Sequence, residues 1–210
     1  MAPGGRCDVM LCLVTDRRRL CPGATGFEAA RRRLVEQAAW AVESGVDVIQ
    51  VRERDLEAAQ LAAVVGDLVR ARHGSGTRVV VNERLDVALA CGAQGVHLRH
   101  DSVPAAAARA ITPPGFLIGR SVHDVAEALE AGPVDYLIAG TVFPTPSKPG
   151  ASPLLGLDGL AAIVRAVAVP VLAIGGIGAG QIDEVVATGA AGVAGIGLFI
   201  EWFDRVEAPS

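Results

Sequence analysis

The sequence predicts an α/β protein of one domain, a closed (β/α)₈ barrel, and three observations carry that expectation. Short apolar runs rich in β-branched residues recur eight times along the chain. Helical patterns separate most of them at near-regular spacing, as in a parallel sheet with helical crossovers. No GxGxxG follows the first run, which weighs against the open doubly wound alternative.

The runs are "DVMLCLVTD", "VDVIQVRE", "TRVVVNE", "QGVHL", "FLIGRSV", "VDYLIAG", "VPVLAIGG" and "AGVAGIGL". They are apolar at successive positions rather than alternating, the pattern of strands buried on both faces. Between the first two lies "GFEAARRRLVEQAAWAVESG", where Leu34, Ala38, Ala41 and Val42 form one stripe. Arg31, Arg32, Glu36 and Glu43 fall elsewhere on that helix, and the Arg31–Arg33 run reads as a solvated face. "LEAAQLAAVVGDLVRARHG" and "DEVVATGA" repeat the helical pattern, with Gly45, Gly74 and Gly189 as stops. The crossing from Asn82 to Gly95 has room for a short helix only. A single domain over 1–210 is expected, with its core over about 8–199 and ragged ends before Cys7 and after Phe203.

The chain has 210 residues, 51% hydrophobic and 20% charged, enough for one sizeable core. Its net charge of -4 excludes nucleic acid or an anionic membrane surface as a main partner. No segment approaches about 20 uninterrupted apolar residues, so no membrane span is expected. Cys7, Cys12, Cys21 and Cys91 show no metal-ligand spacing and read as small hydrophobes of a reducing, cytoplasmic compartment.

In a barrel of this kind the chemistry gathers at the C-terminal ends of the strands. Those ends read Thr15 and Asp16, Gln50 with Arg52 and Arg54, Asn82 and Glu83, then His97. Ser121 and His123, Gly140, Gly175 and Gly176, and Ile196 and Gly197 complete the circuit. Arg52 ends a very apolar strand and is either an anion fork or the ion-pair partner of Glu53 or of another barrel carboxylate. Arg54 is an anion contact or a solvated cation. The Gly175–Gly176 turn suits either close approach of a phosphate or a tight turn that needs positive φ.

"GTVFPTPSKPG" places Thr145, Ser147 and Lys148 after the sixth strand, where they would form a lid for an anion or a solubilising loop. His123 is a candidate general acid or base, because its ordinary pKa lies near neutrality. The alternative is a hydrogen-bonded structural role. His97 is expected to face the core, and His73 and His100 to be solvated.

Six stretches in order, "IQVRERD", "VNERLDVALACGAQGVHL", "IGRSVHDVAEA", "DYLIAGTVFPTPSKPG", "VPVLAIGGI" and "GAAGVAGI", resemble the thiamine phosphate synthase/TenI superfamily. The resemblance runs from about Asp8 to Phe199 and implies a (β/α)₈ barrel. It implies thiamine biosynthesis on a thiazole phosphate by one of two activities. The synthase joins hydroxymethylpyrimidine diphosphate to the thiazole phosphate and releases diphosphate, with Mg²⁺ as cofactor. By this resemblance Arg52, Asn82, Ser121 and Lys148 match the diphosphate site, and Thr145, Ser147 and Gly176 the thiazole phosphate site.

Departures from the synthase pattern lie at the metal. Glu83 stands where an Asp is expected in "VND". The later "GQxD" motif reads "RHDS", with Ser102 at the ligand position and Asp101 displaced by one. Arg54 stands where a Lys is usual. A Mg²⁺ site would therefore rest on Glu83 and Asp101. The TenI-like tautomerase needs no cofactor: it aromatises a carboxythiazole phosphate by proton transfer, with His123 as the matching proton carrier. On "IGRSVH", "SVP" and "SKPG" the tautomerase is the favoured expectation, and the synthase the alternative. A non-catalytic ligand-binding regulator is a second alternative. Apolar helix faces, where exposed, would suit a homodimer.

Overall fold

The computed structural model describes residues 9–145 and 153–207. Strand β1 (Met10–Val14) leads through a one-turn helix α1 (Arg17–Leu20) into α2 (Phe27–Glu43). Then follow β2 (Val48–Val51), α3 (Ala58–Ala71), β3 (Arg78–Asn82), α4 (Leu85–Ala90), β4 (Gly95–Leu98) and α5 (Ala105–Ile111). The second half runs β5 (Leu117–Val122), α6 (Val125–Leu129), β6 (Tyr136–Gly140), α7 (Gly156–Ala166) and β7 (Val171–Ile174). It ends with α8 (Ile182–Ala187), β8 (Gly192–Gly195) and α9 (Gly197–Glu207).

The strands form a closed barrel in sequence order, and every pairing is parallel. Closure is made by β1 against β8, with Cys12 opposite Ala194 and Leu13 opposite Gly195. As a (β/α)₈ barrel it has the architecture expected from the sequence. The unbroken apolar character of the strands follows from burial on both sides: all four residues of β2 and all five of β6 are buried.

Two apolar shells result. Cys12, Val14, Val48, Val80, Tyr136, Ile138, Leu172 and Ala194 pack together inside the barrel. Leu13, Ile49, Val79, Val81, Val96, Ile118 and Leu137 face outward and meet the helices. Alternate residues of one strand thus belong to different shells, the period-two rule of a pleated strand. In α2 the predicted stripe is the buried one, with Leu34, Ala38 and Ala41 against the barrel. Gly45, at φ 77, reverses the chain after that helix at a backbone angle that disfavours a side chain.

Three features differ from expectation. The last apolar run ends as a strand at Gly195, and α9 takes over two residues later. That helix continues beyond the ragged end expected after Phe203, because Leu198, Phe199 and Phe203 form an apolar stripe buried in the core. Nor is the Arg31–Arg33 run simply solvated. Arg31 pairs with Asp67 at 2.6 Å, and the Arg33 guanidinium lies 4.3 Å from the centre of the Phe203 ring.

The loops at the barrel mouth are tied by charge. Glu53, buried just beyond β2, accepts hydrogen bonds from the Arg17 backbone N–H at 3.1 Å and from its Nη1 at 2.9 Å. The same guanidinium pairs with Asp55. Hydrogen bonding to Arg17 pulls the Asp55 pKa down to about 2. Burial raises the pKa of Glu53, and hydrogen bonds from Arg17 and Thr15 oppose that shift. Removal of the guanidinium would strand a buried carboxylate. Arg17→Ala is expected to cost about 3 kcal/mol, measurable by urea unfolding. A loss below about 1 kcal/mol would mean that the pair is no more than a surface contact.

Candidate functional site

The inward series of each strand continues past its last residue into one cavity of ≈ 610 Å³ at the C-terminal mouth. From β2 come Gln50, Arg52 and Arg54; from β4 His97 and Arg99; from β5 Ser121 and His123. Val14 and Asp16 extend β1, Asn82 ends β3, and Gly140 ends β6. The far wall is Ile174, Gly175, Gly176, Ala194, Ile196 and Gly197. Thr145 reaches the same cavity.

The floor is a buried polar layer. Gln50 Nε2 donates to Asn82 Oδ1 at 3.0 Å, which leaves the Asn82 amide hydrogens for the cavity. His97 lies 1% exposed, with Nε2 2.9 Å from Ser121 Oγ and Nδ1 3.3 Å from the Tyr136 hydroxyl. Burial pushes its pKa down to about 3, so the imidazole is neutral near pH 7 and serves to fix Ser121. That agrees with the core-facing role expected for it.

The near wall is cationic. Arg52 is anchored through its backbone N–H, which donates to Thr15 Oγ1 at 3.0 Å. It is not paired with Glu53, whose carboxylate is taken by Arg17; its guanidinium makes no hydrogen bond to a described residue. Burial, with the like charges of Arg54 and Arg99, lowers its pKa. Arg54 is exposed and lines the same wall.

On the far wall the two glycines answer to their neighbours. The loop after β6 crosses closely, with the Phe143 N–H donating to the Gly175 carbonyl at 3.0 Å. At Gly176, φ 65, a Cβ would meet the Pro144 carbonyl oxygen and lie 2.7 Å from that of Phe143. The strained turn and the close approach are therefore one constraint: only glycine lets this loop cover the turn. Beside it α9, 11 residues long, begins at Gly197 and turns its N-terminal dipole toward the cavity.

His123 lies at the rim. Its Nδ1 is 2.9 Å from Glu127 Oε2, and its ring stands edge-on to His100 with centroids 4.8 Å apart. His100 is exposed, as expected, but in contact rather than merely solvated. Ser147 and Lys148 lie outside the described residues.

The expected metal pair does not assemble. Glu83 belongs to the outward series of β3 and does not line the cavity. One of its carboxylate oxygens, Oε1, accepts from the Arg99 backbone N–H at 2.8 Å and from the Ser102 hydroxyl. Asp101 is exposed and held by the Arg99 guanidinium at 2.7 Å. Among the described residues no three His, Cys, Asp or Glu side chains converge as metal ligands. Glu83 and Asp101 as they stand do not fit Mg²⁺: the displaced carboxylate has turned to an arginine, and a hydroxyl occupies its place.

Two cations went unnoticed in the sequence. Arg99 follows His97 by two and Leu98 by one, so counting in twos along β4 would have found it. Arg19 reaches the N-terminus of α9, where a Cβ on Gly197 would lie 3.1 Å from its Nη2. No sequence signal distinguished it from Arg17 and Arg18.

A family model described as thiamine monophosphate synthase matches residues 11–199. The thiamine-phosphate synthase of Albidiferax ferrireducens is 43% identical over 187 residues, covering 88% of this chain and 81% of its own. That of Methanospirillum hungatei is 38% identical over 195 residues, 92% of this chain and 90% of its own. A solved thiamine phosphate pyrophosphorylase from Pyrococcus furiosus superposes with TM-score 0.76 at 32% identity, covering 96% and 98%. These names are of synthases and give no support to the tautomerase that the short motifs favoured. Among the described residues no helix is long and apolar enough to cross a membrane.

The buried neutral His97 sets a pH dependence. Its folded pKa is depressed from 6.5, so acidification protonates the unfolded chain first. The stabilisation is full above pH 6.5 and falls as pH drops toward 3, by up to ~1.4 kcal/mol per pH unit. His97→Asn should lose unfolding free energy less steeply than the parent between pH 6.5 and about 5. Equal slopes in denaturant titrations would contradict the neutral imidazole.

Proposed function

This chain belongs to the thiamine monophosphate synthase family, and from that premise we propose that it is a thiamine-phosphate synthase. The substrates would be hydroxymethylpyrimidine diphosphate and a thiazole phosphate. The observation that carries the reading is one cavity with anion-binding groups on two opposing walls. Two small phosphorylated heterocycles need such an arrangement, and ≈ 610 Å³ suits them.

In this reading Arg52 and Arg54 hold the diphosphate, with the Asn82 amide and the Ser121 hydroxyl as further donors. The Gly175–Gly176 turn, the start of α9, Thr145 and Ser147 hold the thiazole phosphate on the other wall, and Lys148 is a further donor to the diphosphate. The carbon–oxygen bond between the hydroxymethyl carbon and diphosphate breaks, and its electron pair leaves with the diphosphate. The thiazole nitrogen supplies the pair for the new carbon–nitrogen bond. Guanidinium groups preset around the departing oxygens lower the barrier, because negative charge grows there in the transition state. The buried floor of Gln50, Asn82, His97 and Ser121 carries no carboxylate.

The tautomerase retains one observation in its favour: the His123 imidazole is held by Glu127 at the cavity rim, a suitable proton carrier. Purified protein given both phosphates, with and without Mg²⁺, tests the main reading by the appearance of thiamine phosphate and diphosphate. Absence of product in both conditions would overturn it. Arg52→Ala should lower kcat about 10²-fold or more. His123→Ala should leave synthase turnover nearly unchanged. Under the tautomerase reading it would instead remove about 10²–10⁴-fold of isomerisation while thiazole phosphate still binds.

A further inference from the structure

The near wall holds more positive charge than the sequence motifs account for. Arg99 continues the inward series of β4 after Gly95 and His97, and it lines the cavity with Arg52 and Arg54. The three groups lie close enough that Arg54 and Arg99 both act on the Arg52 charge. Such a convergence of like charges is unfavourable in an empty cavity and is relieved by a polyanion.

The carboxylates nearby relieve it only in part: Asp16, which lines the same cavity, and Glu53 act favourably on the Arg52 charge, yet burial and the neighbouring arginines still lower its pKa. Glu53 is taken by Arg17 on the outer side of β2. Glu83 is engaged by the Arg99 backbone N–H and by Ser102. Among the described residues, the Arg99 side chain pairs with Asp101 alone, and both partners are about half exposed. Exposed pairs of this kind are weak. An incoming anion with several charges would readily draw the guanidinium inward. The backbone bond to Glu83 meanwhile holds the loop, so the side chain can swing without moving the strand end.

We propose that Arg99 completes a three-guanidinium clamp with Arg52 and Arg54 for a diphosphate group, and supplies there the positive charge that a carboxylate-bound Mg²⁺ would otherwise bring. The inference rests on the synthase reading for the identity of the substrate, but not for the clamp itself. Diphosphate fits better than a single phosphate because three guanidinium forks require more acceptor oxygens than one phosphate end presents. The glycine turn that suits a single phosphate lies on the other wall.

The test is calorimetric titration of the full-length protein with inorganic pyrophosphate in EDTA, repeated with added Mg²⁺. The parent should bind without divalent cation, and Mg²⁺ should change the affinity little. Arg99→Ala should weaken binding about 10–100-fold, with Arg99→Lys between the two. Asp101→Asn, which frees the guanidinium, should bind at least as tightly as the parent. If the alanine variant fails to fold, Arg99→Gln serves in its place, with the same loss expected. Unchanged affinity in the Arg99 variants, or binding only after Mg²⁺ is added, would overturn the clamp.

Thiamine phosphate formation is followed on the same samples, which separates the two ideas. Turnover with Arg99-independent pyrophosphate binding removes the clamp and leaves the synthase. Arg99-dependent binding without turnover supports the clamp and removes the synthase.

Discussion

Closure of eight parallel strands into a ring imposes one rule on everything else: alternate residues of each strand must point into the lumen. Below the mouth the lumen is apolar, with Val48, Val80, Ile138 and Leu172 filling it. One step higher on the same series stand Gln50, Asn82, His97 and Ser121. One step beyond, where the strands end, come Arg52, Arg99 and His123. The site is therefore the barrel core continued upward with polar residues, and its floor is as rigid as the core beneath it.

The same rule sorts the charges. Cations on the inward series reach the cavity, whereas Glu53 and Glu83 lie on outward series, where they meet Arg17, Ser102 and a backbone N–H. These two carboxylates thus fasten the loops from outside, while Arg52 and Arg99 line the cavity together with Asp16. Buried charge of this type is costly unless fully partnered, which Glu53 achieves through Arg17. The wall so fixed keeps Arg52 in a setting where burial and like charge both disfavour its cation until an anion arrives.

The opposite wall works largely through backbone. The Gly175–Gly176 turn is pressed by the loop after β6, and α9 starts beside it, so N–H groups and a helix dipole face the cavity there, with Arg19 at the head of the helix. Two walls of different chemistry suit two different anions in one reaction. The relatives that match are named thiamine-phosphate synthases. A motif such as "IGRSVH" could not have decided this, because a histidine at the rim serves several chemistries.

The sequence by itself determined the barrel, since eight doubly buried apolar runs with helical spacers have few other ways to hide both faces. It also determined most of the mouth, because Arg52, Asn82, Ser121, His123 and Gly176 stand at recognisable strand ends. Tertiary structure alone decided which neighbours act together. Adjacent residues at a strand end face opposite sides, so Glu53 left Arg52 for Arg17, and Glu83 turned from the cavity toward Ser102. It also brought Arg99 to the wall of Arg52 and Arg19 to the head of α9. Pairings across 36 residues, like that of Arg17 with Glu53, depend on ring closure and strand register, and no local pattern records them.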